Sequence, residues 1–195
     1  MSPLQAMERS YSVVKHMLRE GKFQPGFRLE ANRLADELGV SMTPVRDVLH
    51  RLVGERLVEA SSGDGFHVPR FTEAMLRDLY EWNSALAIMA ARTSKARDSG
   101  EAMPLDPSVG PADRVAMFFE SLAADAPNHE IRAAVVCAND RLHAFRLIEK
   151  KVLNPVVGEL EALAVPDAGQ PATIRRYHVR RMKVVPALLR MREGH

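Results

Sequence analysis

The sequence predicts a mainly α-helical chain in which an N-terminal winged helix-turn-helix with a small β-hairpin wing is followed by an all-α helical bundle. Three observations carry that expectation. Two short amphipathic segments, one around Leu34 and one around Val48, are separated by a few residues that include Gly39. Two short apolar runs joined by Ser61-Ser62-Gly63-Asp64-Gly65 come next. Beyond Arg70 the apolar residues recur at helical spacing.

Ser2-Pro3 reads as an N-cap followed by proline at the first helical position, and Leu4, Met7, Tyr11, Val14 and Leu18 form the stripe of a first helix ending near Gly21. Pro25-Gly26 marks a turn. Leu29, Leu34, Ala35 and Leu38 then give a short second helix stopped by Gly39. Ser41 or Thr43 caps a third helix with Pro44 in its first turn, and Val45, Val48, Leu49, Leu52 and Val53 are its buried stripe. Leu57 to Ala60 and Phe66 to Pro69 flank the glycine-rich connection and predict a hairpin. This first domain is placed at 1–70 and a helical domain at 71–195. In the latter, Thr72 caps a long helix reaching about Arg97, 100–111 is a loop rich in proline and glycine, and further helices are expected near 112–124, 129–151, 155–164 and 172–192.

Composition bounds the function. With 195 residues, 46% hydrophobic and 27% charged, the chain can bury a real core, which excludes wholesale disorder. Its longest apolar runs, such as Ala85 to Ala91, stop far short of the roughly 18 to 20 residues of a membrane span. No membrane association is expected. Charge enters at Glu8 and Arg9 before any apolar signal core, and the single Cys137, read as a buried inert thiol, fits a reducing cytoplasm. Residues 1–70 carry ten Lys/Arg against nine Asp/Glu, so net charge does not announce a nucleic-acid binder, and motif and placement must.

The stretch Leu29-Glu30-Ala31-Asn32-Arg33-Leu34-Ala35-Asp36-Glu37-Leu38-Gly39-Val40-Ser41-Met42-Thr43-Pro44-Val45-Arg46-Asp47-Val48-Leu49 resembles the GntR family of bacterial transcription regulators. Pro25-Gly26-Phe27-Arg28 before it and Gly65-Phe66-His67-Val68 after it continue the likeness. The remainder is similar to the helical ligand-binding domain of the FadR-like subfamily at Leu79-Tyr80-Glu81, Asn139-Asp140-Arg141-Leu142-His143 and Asn154-Pro155, fading after about residue 164. The C-terminal domain reads as a short, divergent version.

A helix entering the major groove reads bases with its N-terminal residues, which here are Ser41, Thr43, Arg46 and His50. The resemblance implies that Arg46 contacts DNA; Ser41 and Thr43 are phosphate contacts or caps. Asn32 could reach a phosphate from the second helix. At the wing, Gly65 permits close backbone approach and His67 is either a minor-groove contact or a solvent-facing strand residue. Arg28 and Arg51 are surface charges flanking this face. Met42 departs from the family, which usually carries arginine there, and weaker electrostatic binding or another operator preference is expected.

In the second domain Asn139 and His143 lie four apart on one helix face. Metal-binding members of the subfamily typically have Asp and His at such a pair; here Asn139 replaces the acid and Asp140 is offset by about 100°. His143 and His178 are weak candidate metal ligands, His195 reads as a frayed terminus, and no cofactor is assigned. The other reading has His143 held by Asn139 in the interior. Asn83, Asn139, His143 and His178 are candidate effector-binding residues. Asn83 stands where relatives often carry an arginine for a ligand carboxylate, a role that Arg141, Arg146, Arg175, Arg176, Arg180 or Arg181 could take, although such runs are commonly a solvated helix face. Met75, Trp82, Met89, Phe118, Phe119 and Phe145 read as core or a dimer seam.

The resemblance implies a homodimeric transcription repressor that binds an inverted-repeat, double-stranded DNA operator and is modulated by a small-molecule effector. The alternative is an effector-independent DNA-binding module with a degenerate ligand site. A metal-dependent enzyme built on His143, His178 and Asp140 is the third class, and no nucleophile, general-base or phosphate-loop motif supports it. No enzyme activity is expected.

Overall fold

The computed structural model describes residues 3–61, 63–93, 106–154 and 158–194. They form two compact units, residues 1–71 and 72–195.

The first unit contains α1 (Pro3–Arg19), β1 (Arg28–Leu29), α2 (Ala31–Leu38), α3 (Met42–Gly54), β2 (Glu59–Ser61) and β3 (Gly65–His67). Gly39 ends α2 in the left-handed region at φ 66°, and the N–H groups of Gly39 and Val40 donate to the carbonyls of Asp36 and Ala35. Only Gly39, Val40 and Ser41 separate α2 from α3. Ser41 occupies the N-cap position of α3 with extended backbone, but its side chain makes no capping bond. Val45, Val48, Leu49 and Leu52 of α3 meet Val14 and Leu18 of α1 and Leu34 of α2 in one core, closed by Val58 and Val68.

The hairpin is β2 paired with β3, and a third strand, β1, joins its far side in the order β1-β3-β2, all antiparallel. This edge strand was not predicted. Gly26, at φ 79°, makes it possible: its N–H donates to the Val68 carbonyl while Val68 N–H donates to Phe27, laying Arg28 opposite His67.

The second unit contains α4 (Glu73–Thr93), α5 (Pro111–Ala124), α6 (His129–Arg146), a 3₁₀ turn at Glu149–Lys151, α7 (Glu159–Ala164), α8 (Gln170–Met182) and α9 (Val185–Glu193). Thr72 caps α4 as expected, its hydroxyl accepting from Met75 N–H at 3.2 Å. Asn128 caps α6 in the same way through Glu130 N–H. α4 packs against α5, α6 and α8, with Phe118, Phe119, Val135, Leu163 and Ile174 in the core.

Several expectations need correction. The helix expected over 129–151 ends at Arg146 and resumes only as the 3₁₀ turn. The helix expected over 172–192 is two helices, because Pro186 has no N–H to offer the Met182 carbonyl four residues back. That carbonyl accepts instead from Arg77 Nη1 of α4 at 2.8 Å. Met75, Trp82 and Met89 are not core within the chain, being 42%, 52% and 47% exposed along α4, whereas Phe118, Phe119 and Phe145 are buried. Cys137 is half-buried. The Ser2 cap, Ser62 of the hairpin turn, the end of the long helix near Arg97, most of the loop that follows it, Pro155 and His195 lie outside the described residues.

Candidate functional site

In the first unit the outer face of α3 is built by exclusion. Its apolar stripe is committed to the core, so Arg46, Asp47 and His50 are turned to solvent, with Ser41, Met42 and Thr43 exposed at its start. Arg46 makes no ion pair or side-chain hydrogen bond among the described residues. Arg51, on the same helix, is engaged differently. Its guanidinium lies 3.6 Å from the centre of the Tyr11 ring, 2.9 Å from Glu8 and 3.5 Å from Glu55, fastening α3 to α1. Tyr11 donates to Glu55 at 2.7 Å and Lys15 to the other carboxylate oxygen at 2.9 Å, completing that clamp. Arg51 is thus no lone solvated charge.

The wing stands beside this face. The His50 ring packs edge-on against Phe66 of β3, 4.9 Å between centroids, so the side chain that links α3 to the wing is itself a candidate contact. His67 Nε2 lies 3.5 Å from Asp64 Oδ2 across the wing tip, while Gly65 is exposed with φ 86°. Asn32 is exposed in the first turn of α2. Arg33, one residue on, pairs with Glu37 at 3.6 Å.

In the second unit Asn83, Asn139 and His178, from three helices, meet in one network with Arg146, which nothing in the sequence sets apart from the other five candidate arginines. Arg146, buried in the bundle, donates from Nη1 to Asn139 Oδ1 at 3.0 Å and from Nη2 to Asn83 Oδ1 at 3.1 Å. Asn139 Nδ2 donates to the Ala116 carbonyl at 3.1 Å and to Glu120 at 3.3 Å. His178 sets Nδ1 against the Ile174 carbonyl at 2.8 Å and Nε2 against Asn83 Oδ1 at 2.9 Å. His143, fully buried, has Nε2 3.8 Å from Asp113 Oδ1. Next to this cluster Glu149 accepts from Tyr80 at 3.2 Å and from Arg181 Nε at 2.9 Å, and Arg181 reaches on to Glu159 at 3.0 Å. Burial pushes the Glu149 carboxyl above its ordinary range, against the pull of Arg181 and Arg146. Tyr80, Glu149, Glu159 and Tyr177 were not anticipated as members of this network; their spacing on the sequence carries no sign of it. Arg175 and Arg176 are exposed, as expected of a solvated face.

Both ring nitrogens of His178 face oxygen acceptors, and only an imidazolium could donate to both. Burial, helped by the Arg146 and Arg181 guanidinia, nevertheless depresses its pKa to about 3 from an ordinary 6.5. At neutral pH the ring is therefore uncharged and the cluster is one donor short. Because the folded state resists a proton that the unfolded chain accepts, the stability this residue contributes is complete above about pH 6.5 and is lost as pH falls toward 3. Between pH 6.5 and 5 the wild type should lose about 1 to 2 kcal/mol relative to a His178→Gln variant. Melting curves of both proteins across that window test this, and parallel curves would refute it; the shift at Glu149 is common to both.

The metal that the subfamily resemblance brings into view does not fit. No group of three or more His, Cys, Asp or Glu side chains among the described residues could hold an ion. The side-chain oxygens of Asn83 and Asn139 belong to neutral amides and are already engaged by a guanidinium. A cleft of about 590 Å³ opens beside the cluster, lined in part by Asp113, Arg114, Arg146, Lys150 and Tyr177. Arg146 Nε and the Tyr177 hydroxyl, both buried, have no hydrogen-bond partner there.

Residues 7–68 match the family described as bacterial regulatory proteins, gntR family. The chain is 36% identical over 77 residues to the HTH-type transcriptional regulator McbR of Escherichia coli K12, a match covering 40% of this chain and 35% of that protein. It is 29% identical over 91 residues to the HTH-type transcriptional repressor GlaR of the same strain, covering 47% of this chain and 41% of GlaR. These matches thus span less than half of each relative's own length. The solved structure of E. coli McbR/YncC superposes with a TM-score of 0.52 at 21% identity, covering 95% of this chain and 97% of the other, a likeness of fold. Both relatives are named as regulators of transcription.

Proposed function

We propose, from the match of residues 7–68 to the gntR family of bacterial regulatory proteins, that the chain is a homodimeric transcription repressor that binds an inverted-repeat operator and is modulated by a small molecule held in its helical unit. The observation that carries the DNA-binding part is the unengaged Arg46 on the solvent face of α3, between exposed Ser41 and Thr43 at its start and His50 near the wing. Arg46 reads a guanine edge or a phosphate, Ser41, Thr43 and Asn32 position the backbone, and Gly65 and His67 approach the minor groove. Repression is supported by the similarity to GlaR, a transcriptional repressor. No helix among the described residues is long and apolar enough to cross a membrane, which accords with work on DNA in the cytoplasm.

Dimerisation is assigned to α4. Met75, Trp82 and Met89 recur every seven residues and stand exposed in a line, the pattern of a helix seam. Trp82 is the only tryptophan, so its fluorescence reports the seam directly. Trp82→Glu should raise the dimer dissociation constant by about 100-fold, as loss of a buried aromatic anchor does. Sedimentation velocity checks it, and an unchanged dimer would move the interface elsewhere.

The effector reading places Asn83, Asn139, His143 and His178 around the ligand, which enters through the cleft beside Arg146 and Tyr177 and belongs to the FadR-like mode of regulation. A second reading, an effector-independent module, is favoured by the way Asn83, Asn139 and Arg146 satisfy one another. Selecting operators from a randomised DNA library with the full chain, then screening metabolites for release of the selected DNA, tests both parts. Failure to enrich any sequence sinks the regulator; enrichment with no releasing compound favours the module.

A further inference from the structure

We infer that the Arg146 guanidinium is the resident cation of the helical unit: with the amide oxygens of Asn83 and Asn139 it takes the charge role that a divalent ion takes in metal-binding members of the subfamily which the sequence resembles, and the site forms without metal. Arg146 stands at the end of α6, seven residues after Asn139 and three after His143, so two turns of one helix bring its head back over the cluster. It is 5% exposed, reaches both amide oxygens within 3.1 Å and lies 5.6 Å from the centre of the Phe119 ring, whose face favours a cation.

The donor set matches this occupant. An amide oxygen is a poor ligand for a borderline divalent ion but a full acceptor for a guanidinium N–H. Asparagine at 139 is then a matched partner of Arg146 and not a damaged ligand. His178 keeps the orientation of a histidine held through Nδ1 by a backbone carbonyl, yet its Nε2 is directed at Asn83. Glu149, three residues after Arg146, supplies a balancing negative charge, which it shares with its partner Arg181. A divalent ion entering this space would face a buried positive charge at a few ångströms in a weakly screening interior. The charge of the site is therefore covalent and cannot be stripped by a chelator.

The experiment uses the full chain without DNA, so its outcome is independent of the regulator reading. After dialysis against EDTA, ZnCl₂ and MnCl₂ are titrated calorimetrically, and melting temperatures are recorded with and without each ion. The inference expects no uptake that depends on His178 and shifts below about 1 °C, whereas an ion bound at a hundred times its dissociation constant would raise the melting temperature by about 5 to 10 °C. One ion per chain, abolished by His178→Gln, would overturn it. Arg146→Met should lower the melting temperature and Arg146→Lys, which keeps the charge, should recover part of the loss. If the methionine variant does not fold, a folded lysine variant indifferent to both ions upholds the inference. A methionine variant as stable as the wild type, or a lysine variant no better than the methionine one, overturns it.

Discussion

Replacing Arg181 by methionine should lower the melting temperature of the helical unit by on the order of 10 °C at neutral pH, the equivalent of about 3 to 5 kcal/mol. Arg181 is held at 2.9 Å from Glu149 and 3.0 Å from Glu159, and both Arg181 and Glu149 are buried. A buried ion pair adds little over a well-packed apolar pair, but removing one member leaves the other charged and dry. Methionine fills much of the arginine stem and so isolates the charge effect from the loss of volume. Two controls separate the causes. Adding Glu149→Gln to the variant should recover most of the loss, because the stranded charge is then gone. Lowering the pH to 5 should also shrink it: a carboxyl whose folded pKa is raised favours the folded state below that pKa, and burial already raises Glu149. Equal melting temperatures for wild type and Arg181→Met at pH 7 would show that the pair carries no such cost.

Arg46→Ala should weaken binding to the selected operator by about 10- to 100-fold, the range for loss of one good base contact. Stability should be unchanged, because the side chain has no partner among the described residues to lose. The salt dependence separates its two roles. If Arg46 holds a phosphate, the slope of log affinity against log salt falls by about one and all sequences weaken alike; if it reads a base, discrimination at one position relaxes. Anisotropy titrations with wild-type and point-changed operators at several salt concentrations distinguish them. Wild-type affinity in the variant would remove Arg46 from the interface. The exposed Met42 contributes no charge beside it, so Arg46 bears a larger share of the electrostatics than it would with an arginine neighbour.

What could be read in advance was governed by punctuation. Gly39 and Pro44 bracket the turn between α2 and α3, and both leave a local mark that no tertiary contact has to supply. β1 left no mark, since two residues after Pro25-Gly26 show no alternation and become a strand only by pairing with β3. The break between α8 and α9 was present as Pro186 but was overridden by apolar periodicity that runs through it. Periodicity also cannot say what a stripe faces, which is why Met75, Trp82 and Met89 could be read as core. Asn83, Asn139 and His178 each stand out separately in the sequence, whereas Arg146, which bridges the two asparagines, is one of six arginines with no distinguishing neighbour. Only the three-dimensional crossing of α4, α6 and α8 selects it.

The clamp of Arg51 on Tyr11 and Glu8 limits how much sequence one protomer can read. It turns the last turns of α3 toward α1, leaving Ser41 to His50 as the free edge. Nine residues of helix advance about 14 Å, the length of roughly four base pairs. On the regulator reading a single half-site therefore carries too few letters to be rare in a genome. Information, not adhesion, is what the second protomer adds: only two such short words at a fixed separation make an address.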